Sequence, residues 1–143
     1  MGRINWGRVF LGGLAAGVII NLSETLLNAV IVRKDWEEAM RALGKDPAAS
    51  MAGSAMAVWI LWGFLAGIAA VWLYAAIRPR YGPGPRTAAI AGIGAWFFAG
   101  FLSNLAMLNV GLFPQRIIMI GLVWSLVEMI VATVVGAWLY KEA

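Results

Sequence analysis

Four apolar stretches dominate the chain, at residues 9–32, 50–77, 87–109 and 115–140, and only short polar or Pro/Gly-rich breaks separate them. A helix needs about 20 apolar residues to cross the hydrocarbon of a bilayer. Every stretch meets that length. Because lipid cannot satisfy free backbone amides, each run must be helical where it crosses. The expectation is an all-α polytopic membrane protein, a single transmembrane domain over residues 1–143 with four transmembrane helices. Short connections predict an up-down bundle in which the first and last helices are neighbours.

The first run follows Arg3 and Arg8 as a secretory signal would, but no small-residue cleavage pattern closes it before Arg33. It is therefore taken as the first span. With 62% hydrophobic and 13% charged residues, the composition leaves no room for a separate soluble module. Cysteine and histidine are both absent, which removes disulfides, thiolate or imidazole metal sites and any triad built on a histidine base. No metal and no cofactor is expected. The net charge of +4 comes from basic residues at the ends of the apolar runs, where they anchor helices, so nucleic acid is not an expected partner.

The breaks have their own chemistry. In the segment after the first run, Trp36, Ala39, Met40 and Leu43 share one face while Glu37, Glu38, Arg41 and Lys45 lie elsewhere, which predicts a short interfacial helix at 35–44. Asp35 is placed as its N-cap, with Gly44 and Pro47 as its stop. Residues 78–86 carry Pro79, Pro83 and Pro85 with Gly82 and Gly84 and read as a tight turn. Pro114 suits the first position of the last helix. Arg3, Arg8, Arg78, Arg80, Arg86 and Lys141 share one side of the membrane, together with an aromatic belt of Trp6, Trp72, Tyr74, Tyr81, Trp138 and Tyr140. That side is assigned to the cytoplasm of a bacterial inner membrane, with both termini on it.

An internal repeat is also visible. Trp72-Leu73-Tyr74 closes the second run and Trp138-Leu139-Tyr140 the fourth, while Asn21-Leu22 through Asn28 parallels Asn104-Leu105 through Asn109. A duplicated helical hairpin would place a pseudo-two-fold axis along the membrane normal.

Several residues inside the spans do not suit lipid. Glu24 shares a helical stripe with Gly13, Gly17, Asn21 and Asn28, and Glu128 lies mid-span with Gly121 and Ser125 near its face. A charge at such depth costs at least about 2.5 kcal/mol, so protonation or pairing must relieve it. No lysine or arginine lies at comparable depth. Asn21, Glu24, Asn28, Asn104, Ser125 and Glu128 all fall between the midplane and the side of the interfacial helix, and are the candidate ligand or ion-binding set. Gly63 and Gly67 form a Gly-x-x-x-Gly pair and, with Gly13, Gly17 and Gly121, are candidates for close helix packing.

The layout of Ile4-Asn5-Trp6, the Lys34-Asp35-Trp36 connector and a final helix ending in Gly136-Ala137-Trp138 resembles small four-helix membrane proteins of bacteria to which no activity is assigned. Two functions follow from the residues. One is a non-enzymatic protein acting through helix packing, as a homo-oligomer or an accessory subunit of a larger membrane assembly. The other is a small proton- or cation-coupled transporter or channel using Glu24 and Glu128. An enzyme is not expected, since no nucleophile or metal cluster accompanies the two acids.

Overall fold

A computed structural model describes residues 3–142, and within them no strand is present. The order is α1 (Trp6–Leu26) with a π-helical continuation (Leu27–Ile31), α2 (Arg33–Ala42), a 3₁₀ turn (Ala49–Met51) and α3 (Gly53–Tyr81). There follow α4 (Pro85–Trp96), a second π-helical stretch (Phe97–Phe101), α5 (Leu102–Val110) and α6 (Gln115–Trp138). Four continuous helices, Trp6–Ile31, Gly53–Tyr81, Pro85–Val110 and Gln115–Trp138, are long and apolar enough to cross a membrane.

Local chemistry sets most of the boundaries. Asn5 caps α1 by accepting the Arg8 backbone N–H at 3.2 Å. The α3–α4 turn uses Gly82 at φ 81° and Gly84 at φ 123°, conformations that side chains bearing a Cβ rarely adopt, and Pro85 then opens α4. Three boundaries among these differ from expectation. The interfacial helix begins at Arg33 rather than Asp35, because the chain leaves the π stretch already wound and Asp35 turns its carboxylate to Arg116 instead of capping. The second span runs through Pro79 to Tyr81, since a proline in the last turn removes one hydrogen bond without breaking the turns before it. Pro114 serves as the N-cap of α6, one position earlier than expected.

The tightest packing lies in the half of the molecule nearer the termini. There α1 packs most extensively on α3, α4 on α6, and the square is completed by α1 on α6 and α3 on α4. Val9, Ala16, Ile20, Val71, Ala91 and Ala132 are buried in this half. Small residues make the approach possible. A Cβ added at Gly67 would lie 2.5 Å from the Gly13 carbonyl oxygen and 2.5 Å from the Gly17 backbone nitrogen, so the α1 and α3 backbones are in contact there. Gly92 of α4 plays the same part against Met129 and Ile130 of α6.

The aromatic belt divides. Trp6, Trp72, Tyr81 and Trp138 are exposed, whereas Tyr74 and Tyr140 turn inward and meet edge to face with ring centroids 5.9 Å apart. Their hydroxyls explain the difference. Tyr140 accepts the Asn5 N–H at 3.3 Å and Tyr74 the Gly84 N–H at 3.2 Å, so each phenol finds a backbone donor that the core would otherwise leave unpaired. Arg78 lies 5.7 Å from the centre of the Tyr140 ring and 3.1 Å from Glu142, pinning the end of the chain to α3.

A candidate intramembrane acid site

Of the two acids, Glu24 lies in the half of the bundle nearer α2 and Glu128 at its border with the packed half. Glu24 is partly buried near the end of α1, where the helix passes into its π stretch. The Asn28 side-chain amide reaches back and donates both to the Glu24 carbonyl at 2.9 Å and to Glu24 Oε2 at 2.8 Å. Within the stretch the backbone bonds lengthen to five residues, as in the Val32 N–H to Leu27 carbonyl bond at 2.9 Å. Such π turns break the regular ladder and recur at functional sites.

Glu128 comes from the middle of α6 and is only 6% exposed. The Ser23 hydroxyl lies beside its carboxyl group, and the charge of Glu24 reaches it from the same helix. Glu128 Oε2 is buried and meets no hydrogen-bond donor. Ser23 is itself held by α6, its oxygen accepting the Trp124 indole N–H at 2.9 Å. The contact between α1 and α6 thus brings Ser23, Glu24, Trp124 and Glu128 together.

The other candidates have different partners. Asn21 donates to the Gly17 carbonyl at 2.9 Å and across to the Ile60 carbonyl of α3 at 3.2 Å, lying over Gly63 as a clasp between helices. Asn104 donates to the Gly100 carbonyl at 2.9 Å, inside the second π stretch. Ser125 accepts the Trp96 indole N–H at 3.1 Å and joins α4 to α6. All three asparagines therefore bond the carbonyl four residues back, and Asn28 alone also meets an acid. Ser23 and Trp124 complete the site although Ser23 was not singled out from the sequence. Its signal was a hydroxyl next to Glu24, one turn on from Ile19.

Of the packing glycines, Gly13, Gly17, Gly63 and Gly67 all meet partners within the chain, whereas a Cβ added at Gly121 would meet nothing within 4 Å.

Two openings flank the acids. A pocket of about 480 Å³ beneath α2 is lined by Asn28, Arg33, Trp36, Glu37, Arg41 and Asp46. A groove of about 750 Å³ between α1 and α6 is lined by Ser23, Trp124, Glu128 and aliphatic side chains. Asn28 lines the first and Glu128 the second, so the Asn28–Glu24 pair adjoins the charged pocket and Glu128 the apolar groove. No family model, curated protein or solved structure matches this chain.

Proposed function

We propose that this protein is a small membrane transporter or channel that moves a proton or a cation by way of Glu24 and Glu128. The observation that carries the reading is Glu128 Oε2, buried without a donor on α6, with Ser23 and Glu24 of α1 on the side that faces it. An ionised carboxylate at mid-membrane costs about 2.5–3.5 kcal/mol or more, so the group holds either a proton or a cation. Two acids close enough to sense one another release and accept charge as a coupled pair, which suits a relay. Asn28 links Glu24 to the pocket beneath α2 and gives the pair a route towards water.

The bundle we assign to this function is up-down, with the two hairpins as copies of one unit. The neighbour relations among the four spans and the meeting of Tyr74 with Tyr140, the closing residues of the repeated Trp-Leu-Tyr, support it. In a bacterial inner membrane with cytoplasmic termini, the pocket beneath α2 opens on the outer side.

Helix packing as a homo-oligomer or accessory subunit is the second reading, and Gly121 favours it as a small residue whose face is open. The other glycine stripes give it less support, since their partners are within the chain. Liposomes loaded with a pH-sensitive dye separate the two. Transport predicts cation- or proton-linked dye changes that fall sharply in Glu128→Gln, and an unchanged signal in both Glu24→Gln and Glu128→Gln argues for packing alone.

A further inference from the structure

The groove between α1 and α6 has walls of Ile19, Met119, Ile120, Val123, Val127 and Val131, and Glu128 is the only ionisable group in its lining. Aliphatic walls of this kind accept hydrocarbon. Glu128 is the exception in that lining, since one of its carboxyl oxygens is buried without a donor and buried acceptors are nearly always paired. The two helices that form the groove offer no cation at this depth. Neither α1 after Arg8 nor α6 after Arg116 carries a lysine or arginine.

We infer that this groove is a binding site for an amphipathic amine arriving sideways through the bilayer, its apolar body against Val123 and Val127 and its ammonium N–H on the Glu128 carboxyl group. The inference rests on the acid-site reading above and names the ligand class of that site. Charge and shape both select the occupant. Val123 and Val127 are 63% and 58% exposed, so the walls are open to lipid rather than sealed from it. A phospholipid headgroup stays at the membrane surface and cannot reach the middle of α6. A second copy of the chain could bring a neutral donor but no ammonium, since no span carries a basic side chain mid-helix. The missing partner is a hydrogen-bond donor, so an amine bearing N–H fits better than a quaternary ammonium.

Nanodiscs of neutral phospholipid holding the protein test this with 1-pyrenemethylamine, read by energy transfer from tryptophan to pyrene and corrected for empty discs. The neutral 1-pyrenemethanol and the N,N,N-trimethyl analogue serve as shape-matched probes. Saturable binding of the amine about ten-fold or more tighter than either probe is expected, since charge-assisted hydrogen bonds are the strong ones. Glu128→Gln should reduce the amine to the level of the alcohol. Val127→Trp, which adds bulk to the groove wall and keeps the acid, should abolish saturable binding of the amine. Equal binding of amine and alcohol, or full amine binding in Val127→Trp, would overturn the inference. So would spontaneous cross-linking of Val123→Cys between copies, which would make a second chain the occupant. Proton flux that depends on Glu128 without amine binding would remove the ligand class and leave the transport reading standing. Amine binding that depends on Glu128 without any flux would do the reverse.

Discussion

Trp36 and Phe113 stack with ring centroids 5.2 Å apart and planes 10° from parallel. Beside them Arg116 Nη1 donates to both carboxylate oxygens of Asp35, at 2.9 and 3.0 Å. The pair fastens α2 to the turn between α5 and α6, over the half of the bundle that holds Glu24. Such a stack contributes about 0.5–1.5 kcal/mol beyond its buried area, and an exposed ion pair about 0–1 kcal/mol. Trp36→Ala should therefore speed amide hydrogen exchange across α2 more than Arg116→Ala does. The reverse order would show that charge, not stacking, holds α2 down.

Glu37 lies between Arg33 at 2.9 Å and Arg41 at 3.2 Å on α2. The hydrogen bond from Arg33 is the main reason its carboxyl pKa falls below the usual 4.5. A lowered folded-state pKa means that the group's contribution to α2 is complete above the unfolded value and is lost as pH falls through the folded one. Helicity of α2, followed by site-specific hydrogen exchange, should stay constant from neutral pH to about 5 and decline only in stronger acid. In Glu37→Gln that decline should shrink. Since the ion pairs are exposed, high salt should weaken the effect as well.

Gly67 and Gly121 offer opposite expectations from the same substitution. Alanine at Gly67 drives a Cβ into the Gly13 and Gly17 backbones, whereas alanine at Gly121 points into open space. Overpacking of this kind costs about 1–3 kcal/mol. Thermal unfolding in mild detergent should show Gly67→Ala clearly destabilised and Gly121→Ala unchanged or slightly more stable. A large loss at Gly121 would reveal a face occupied by a second chain.

Trp124 holds Ser23 beside Glu128 through its indole N–H. Hydrogen bonds between membrane helices are worth about 0.6 kcal/mol on average, so Trp124→Phe should lower stability only slightly. Its effect on flux should exceed its effect on stability, because Ser23 loses the contact that fixes it. Equal, small losses in both would make Trp124 a packing residue alone.

The spans were legible because hydrocarbon thickness imposes a length that apolar runs report directly, and Gly82, Gly84, Gly111 and Pro85 punctuate the chain where it turns. What one helix does to another was not. Gly13 and Gly17 announce a close approach, but only the folded chain shows that Ile68 and Phe64 of α3 answer them. The π stretches at Leu27–Ile31 and Phe97–Phe101 leave no periodic signature, since one extra residue per turn barely disturbs an apolar run. Asn21 and Asn104 looked like ligands because polar side chains in lipid require partners. Each bonds the carbonyl four residues back in its own helix, and Asn21 also bonds Ile60 of α3, partners that spacing alone does not distinguish from a pocket. Ser23 was hidden for the opposite reason: a lone hydroxyl draws little notice until an acid from α6 lies beside it.

The most direct measurement is proton or cation flux in liposomes carrying the chain, compared with Glu24→Gln, Glu128→Gln and the double variant at matched protein incorporation. The account expects Glu128→Gln to remove most of the flux, Glu24→Gln to reduce it, and the double variant to lose no more than Glu128→Gln alone. Full flux in the double variant, with the bundle intact, would contradict it.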